Sequence, residues 1–162
     1  MSQIDEERKT KPMKSLAKGL VAGLIGGLVA TAAKNIAEKI YPPRTDGKPG
    51  PSEMLAQRIA GHELTETQEA VAGEAINWGF GALTGAAYGA LAEFYPAATK
   101  KDGAGFGLAL GSLTHESALP EMGLSAPPEE QTTRERTSEM SSYAVYGVVT
   151  ETVRRAVRKF LG

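Results

Sequence analysis

Glycine recurs at intervals of four residues in three separate stretches of this chain. Residues four apart share one face of a helix, so each series predicts a helix with one face that lacks side chains. Each internal glycine costs a helix in water about 1 kcal/mol relative to alanine. Bare faces are typical of membrane helices whose backbones approach closely. We therefore expect helix-packing contacts, rather than flexible glycine-rich loops, at Gly19, Gly23, Gly27, Gly81, Gly85, Gly89, Gly103, Gly107 and Gly111.

Four stretches of the chain contain no charged residue, namely 19–33, 75–92, 103–114 and 140–150. A membrane-spanning helix needs about 20 mostly apolar residues, and only the second stretch approaches that length unaided. We predict an all-α protein that forms a small four-helix transmembrane bundle with Gly/Ala-rich helix contacts. The predicted organisation is a charged cytoplasmic tail at 1–14 and one membrane domain at 15–162, with helices at about 15–40, 65–95, 103–117 and 133–161.

Local signals mark the ends of these helices. Thr65 begins a Thr-x-x-Gln capping box and Thr132 a Thr-x-x-Glu capping box, and Asp102 is a candidate cap for the third helix. Pro96 is expected to end the second helix. The connections predicted from proline and glycine are residues 41–51 and 120–128, with a short amphipathic helix at about 52–60.

The distribution of charge supports four crossings. If the N-terminus is cytoplasmic, the cytoplasmic segments hold 11 of the 18 basic residues, and the opposite segments hold 13 of the 19 acidic residues. Lysine and arginine favour the cytoplasmic side, so both termini are predicted to be cytoplasmic. An alternative is that the first stretch is a secretory signal peptide cleaved near residues 30–32.

Several classes of activity have no support in the sequence. Cysteine is absent, which excludes disulfides, thiolate metal sites and cysteine nucleophiles. A net charge of −1 argues against a nucleic-acid partner. The chain has no P-loop, GxSxG or HExxH motif. We expect no catalytic residue, cofactor or metal site, and therefore no enzyme. A mean hydropathy of −0.23 leaves open a soluble or peripheral helical module that binds a partner.

Polar residues cluster at the ends of the apolar stretches. Charged groups at membrane depth usually face a partner or a water-filled cavity. One interpretation is a proton- or ion-handling site in a small channel or transporter, in which the histidine titrates near neutral pH. The other is that the same side chains pair and anchor the helix ends. The candidate cluster consists of Lys34, Glu38, His115, Glu116 and Glu139.

A family resemblance comes from the order of several short elements. These are NWGFG at 77–81, GLA at 107–109 followed by His115-Glu116, and VYG at 145–147 followed by Arg154-Arg155. In this order, over about residues 16–158, the chain resembles the YagU-like family of bacterial inner-membrane proteins of uncharacterised function. The resemblance implies an inner-membrane location and an envelope or acid-stress role, since one member is linked to acid resistance. It implies no catalytic residue.

The partners follow from the same predictions. We expect the lipid bilayer to surround the protein, and a homo-oligomer is a further expectation because four slender helices leave glycine faces to spare. The sequence identifies no small-molecule ligand.

Overall fold

A computed structural model describes residues 3–45 and 47–162, with side chains for residue 13 and for residues 15–162 other than 46. This part of the chain is helical and contains no strand, which confirms the all-α class. The α-helices are α1 (Gln3–Ile40), α2 (Pro51–Ala60), α3 (Glu66–Phe94), α4 (Ala104–Leu113), α5 (Leu119–Glu121) and α6 (Thr133–Leu161). A 3-10 segment (Pro96–Gly103) precedes α4, and a π-helical turn (Thr114–Ala118) follows it.

Two elements differ in extent from the prediction. The first helix begins at Gln3, so it includes most of the segment 1–14 that we predicted as a tail; residues 1 and 2 lie outside the described residues. The predicted third helix is composite, because α4, the π-helical turn and α5 follow one another without a break. The short helix expected near 52–60 is present as α2.

The two capping signals act at the predicted positions. The Thr65 hydroxyl accepts a hydrogen bond from the Gln68 backbone N–H at 3.3 Å, and the Gln68 side chain accepts one from the Thr65 N–H at 3.1 Å. This reciprocal pair satisfies two amides that the first turn of α3 leaves free. At the start of α6, the Thr132 hydroxyl accepts from the Glu135 N–H at 3.1 Å, which is one of the two bonds of the predicted capping box. The Glu135 carboxylate pairs with Arg44 at 3.1 Å instead of making the second bond.

The prediction of Asp102 as the cap of α4 is wrong. Asp102 has a left-handed φ of 51°, and its carboxylate accepts a hydrogen bond from Arg155 Nη1 at 2.8 Å. Gly103 holds the N-cap position with a φ of 84° and makes no side-chain cap. A Cβ on Gly103 would lie 2.3 Å from the Gly147 carbonyl oxygen, so α4 begins where its backbone contacts α6.

The long helices run antiparallel to their neighbours. Along α1 and α3, Gly19 lies against Gly89 and Gly27 against Gly81. On another face of α1, Gly26 lies against Thr150 of α6. Helix α4 packs on α6 in the same antiparallel sense. We call the end of the bundle with the C-terminus of α6 the terminal end, and the opposite end, where α2 packs on α3, the cavity end.

Backbone contact at glycine is the main packing device of the bundle. A Cβ on Gly23 would lie 2.2 Å from the Gly85 carbonyl oxygen, and one on Gly107 would lie 2.0 Å from the Tyr143 carbonyl oxygen. Real Cβ atoms do not come within 3.0 Å of such atoms. The structure brings all nine glycines of the three series against a neighbouring helix, and Gly26 and Gly147, which the four-residue spacing missed, make contacts of the same kind.

The interior of the bundle is small and polar. Its buried hydrophobic side chains are Ala22, Ala30, Ala56, Tyr88, Leu124, Tyr143 and Tyr146. Its buried polar or charged side chains are Thr31, Lys34, His115, Ser138, Glu139, Ser142, Thr150, Glu151 and Arg154. A folded domain in water normally has the reverse distribution, with aliphatic side chains inside and charged ones outside.

Apart from Leu124, the Leu, Ile and Val side chains that the structure describes are at least partly exposed. On α1, Leu20, Val21, Leu24, Ile25 and Val29 are 37–48% exposed. Among the described residues one helix, over 26 residues of α1 from Ser15 to Ile40, is long and apolar enough to cross a membrane by length and composition. We expected the stretch in α3 to come closest. It does not, because glycine and alanine fill much of that stretch and contribute less apolar character than the Leu, Ile and Val of α1.

Candidate functional site

Four of the five predicted cluster residues meet at the cavity end. Lys34 and Glu38, one turn apart on α1, form an ion pair. Glu38 Oε1 also accepts a hydrogen bond from the Ser142 hydroxyl of α6 at 3.1 Å. The Lys34 ammonium lies 5.0 Å from the centroid of the Tyr143 ring, within the range of a cation–π interaction. We call Lys34, Glu38, His115 and Glu139 the Lys34 cluster.

Glu139 of α6 is the most buried carboxylate of the Lys34 cluster, with 3% of its surface exposed. Its Oε2 lies 3.2 Å from His115 Nε2, but the two atoms are poorly aligned, so this oxygen has no hydrogen-bond donor among the described residues. Its Oε1 lies 3.6 Å from Arg44 Nη2. Arg44 pairs more closely with Glu135, at 3.1 Å. The Glu139 carboxylate is therefore only partly compensated.

His115 reaches the cluster because of the π-helical turn. The turn widens the helix at Thr114–Ala118, and His115 is directed inward with 6% of its surface exposed. Its ring meets the edge of the Tyr143 ring at a centroid distance of 5.3 Å. Gln131 supports the turn, since its side-chain amide donates to the His115 carbonyl at 3.2 Å and to the Ala126 carbonyl at 2.7 Å. Single π-helical turns of this kind occur frequently at functional sites.

Glu116 lies outside the Lys34 cluster. It pairs with Arg136 at 2.9 Å on a part-exposed surface. Consecutive residues of a helix do not share a face, so the inward direction of His115 turns Glu116 away. Sequence reasoning grouped the two residues because they are adjacent, and it missed Arg44 and the ring of Tyr143.

A cavity of about 470 Å³ adjoins the Lys34 cluster. The cluster forms one side of it, together with Arg44 and Tyr143. The rest of its lining contains two further charged residues, Lys39 and Glu74, and apolar side chains from the 41–51 connection, α2, α3 and α5, among them Pro42, Leu55, Ile76, Phe80 and Leu119. Pockets that combine apolar walls with a few convergent polar groups are typical of small-molecule sites.

A second group of charges occupies the terminal end. Glu151 is fully buried and accepts hydrogen bonds from the Tyr88 hydroxyl at 2.9 Å, Arg154 Nε at 2.7 Å and Arg155 Nε at 2.6 Å. Both arginines therefore pair with the Glu151 carboxylate. Nearby, Glu93 accepts from Arg158 at 2.7 Å and from Ser15. The carboxylates of this group have close donors, which is the arrangement of a structural clamp.

A family model described as "Protein of unknown function (DUF1440)" matches residues 28–152. This chain belongs to the DUF1440 family. No curated protein and no solved structure matches this chain.

The DUF1440 match contains the complete Lys34 cluster. It begins within α1 before Lys34 and ends in α6 after Glu151, so it also includes Arg44, the π-helical turn and the walls of the cavity. The residues that line the cavity therefore all lie within the range that the family model matches. The family description assigns them no activity.

Proposed function

We propose that this DUF1440 protein is an integral membrane protein whose α1, α3, α4–α5 and α6 segments cross the bilayer as a four-helix bundle, without catalytic turnover. The observation that carries the proposal is the polarity of the bundle, which has charged and small side chains inside and large aliphatic side chains outside. In water this arrangement exposes apolar area that folding should bury. In lipid it is favourable, because helices associate there through close backbone packing and internal polar contacts.

The lengths of the helices are compatible with this proposal. At about 1.5 Å per residue, the 29 residues of α3 and of α6 each extend about 43 Å. The continuous segment from α4 through α5 covers 18 residues and about 27 Å. A hydrocarbon core is about 30 Å thick, and local thinning of the bilayer accommodates a helix that is slightly short.

The proposed orientation has the terminal end in the cytoplasm of a bacterium and the cavity open to the opposite side of the inner membrane. Support comes from Lys100, Lys101, Arg155 and Lys159 near the terminal end, since cytoplasmic ends are enriched in lysine and arginine. The family resemblance supports an envelope or acid-stress role. Self-association is also part of the proposal, because Gly79 and Gly105 face away from the bundle with open space beside them.

Membrane extraction tests the central claim. The expressed chain should stay in the membrane pellet after an alkaline carbonate wash and should be released only by detergent. Release by carbonate, or a soluble monomer without detergent, would instead support a peripheral or soluble module. Topology is tested with single cysteines introduced by Glu130→Cys and Lys101→Cys, since the native chain has no cysteine and both replaced residues are exposed. An impermeant thiol reagent applied from outside intact cells should label the first variant and not the second.

A second candidate function is a small channel or transporter for protons or ions. The observation that favours it is the buried Lys34 cluster beside a cavity, because charges at membrane depth commonly mark ion pathways. The test is ion or proton flux into liposomes that contain the purified protein. Glu139→Gln should lower the flux, and Glu116→Gln, which changes a carboxylate outside the cluster, should leave it unchanged. Equal flux in protein-free liposomes would eliminate this candidate.

A further inference from the structure

In the part of the chain that the structure describes, one oxygen of the Glu139 carboxylate lacks the donor that a buried acceptor requires. Its Oε2 is buried without a hydrogen bond, and the residue lines the cavity beside the Lys34 cluster. Leaving a buried acceptor unsatisfied costs about 1–3 kcal/mol, and more when the group is charged. A bound molecule that donates an N–H or O–H at this position would remove that cost.

The charges around Glu139 determine whether a cation or an anion would bind there. Lys34 is neutralised by its ion pair with Glu38. Arg44 is shared between Glu135 and Glu139. With the neighbouring imidazole neutral, these five side chains carry one more negative than positive charge, and the two other charged residues of the cavity lining, Lys39 and Glu74, cancel each other. An anion placed in the cavity would therefore meet a net repulsive group at Glu139, whereas a cation would complete the charge balance.

The walls of the cavity select an organic cation over a metal ion. Hard metal ions prefer six or more oxygen ligands, and in the part of the chain that the structure describes no group of three or more His, Asp or Glu side chains could hold a metal ion. An alkylammonium group needs only one to three acceptors. Its apolar part would contact the apolar residues of the lining, among them Ile76, Phe80 and Leu119. The volume of about 470 Å³ corresponds to about 15 water molecules, which suits a small amine.

We propose that the cavity binds a small amphipathic amine, whose ammonium group pairs with the Glu139 carboxylate once that carboxylate rotates toward the cavity, and whose apolar body packs between α3 and α5. Lys34 and Arg44 do not contact the ammonium; they hold the neighbouring carboxylates and restrict the cation to the Glu139 side. Binding does not require that the bundle conduct ions or that it catalyse a reaction.

The proposal is tested with three probes of equal shape, namely cyclohexylammonium, cyclohexanol and cyclohexanecarboxylate. Calorimetry on the full-length protein in detergent at pH 8 compares their affinities, since an alkylammonium is charged and an imidazole is mostly neutral at this pH. We expect the ammonium to bind at least tenfold more tightly than the alcohol and the carboxylate not to bind. Glu139→Gln should lower the ammonium affinity at least tenfold, and Glu116→Gln should leave it within twofold.

A second variant keeps the test decisive if Glu139→Gln does not fold. Ile76→Trp fills the cavity from its half-exposed wall without removing a charge, and it should abolish binding while the helical circular dichroism is retained. The proposal is overturned if the wild-type protein prefers the alcohol or the carboxylate, if folded Glu139→Gln binds the ammonium as the wild type does, or if Ile76→Trp binds it unchanged. These measurements use detergent-solubilised protein, so their outcome is separate from the carbonate extraction that tests membrane location.

Discussion

Adding one methyl group at Gly85 tests the close contact between α1 and α3. A Cβ on Gly85 would lie 2.5 Å from the Gly23 carbonyl oxygen and 2.6 Å from the Gly27 Cα. Ordinary contacts of this kind are 3.4–4 Å, so Gly85→Ala forces the two helices apart by about 0.8 Å. A gap of 0.5–1 Å removes about a quarter to a half of each dispersion contact. Together with overpacking strain, we expect a cost of about 3 kcal/mol.

Helix propensity acts in the opposite direction and provides the control. Alanine is favoured over glycine inside a helix by about 1 kcal/mol, so Gly85→Ala should lower the free energy of unfolding by about 2 kcal/mol net. Gly79→Ala, in the same helix, meets no atom within 4 Å and should raise it by about 0.5–1 kcal/mol. The two alanine variants should therefore change stability in opposite directions.

The measurement is reversible denaturation of the detergent-solubilised protein, with the far-ultraviolet circular dichroism recorded during a titration with denaturing detergent. The wild type and both variants are compared under identical conditions. If Gly85→Ala stabilises the protein as much as Gly79→Ala does, then contact between backbones does not explain the glycine spacing, and the reasoning that leads to a membrane bundle is refuted.

Three further predictions use the same assay. Glu151→Ala should lower the free energy of unfolding by about 3–5 kcal/mol, because it leaves the buried Arg154 without its main partner; an effect below 1 kcal/mol would contradict the clamp at the terminal end. Thr65→Ala should cost about 1 kcal/mol through loss of the cap on α3, whereas Thr65→Ser should be nearly neutral. Tyr146→Phe should cost about 1 kcal/mol, because its hydroxyl donates to the buried Gly81 carbonyl at 2.6 Å; an unchanged stability would mean that water replaces this bond.

The helices could be predicted from the sequence because their signals are local. These signals are the capping box that begins at Thr65, the proline at residue 96 that ends α3, and the uncharged stretches. Each depends on residues within one or two helical turns, and the structure has helices at these places. The start of α4 could not be predicted in this way. Asp102 is a suitable capping residue, but the contact of Gly103 with α6 and the ion pair with Arg155 fix a different backbone conformation there.

The candidate site was only partly predictable. The polar face of α1 indicates Lys34 and Glu38 through helical spacing, but nothing local shows that Glu139, more than 100 residues later, lies beside them. The direction of His115 depends on a π-helical turn, which has no simple sequence signature. For this reason Glu116 was included although it faces Arg136 on the outer surface.

By itself, the sequence determined that the chain is helical and that glycine-lined faces recur one turn apart, because both properties follow from the spacing of neighbouring residues. Only the tertiary structure decided which faces meet, that several charged side chains lie inside while many large aliphatic ones lie outside, and that one buried carboxylate oxygen beside a cavity has no hydrogen-bond donor among the described residues. These properties depend on where separate helices lie relative to one another, and the packing of backbone against backbone at glycine sets those positions.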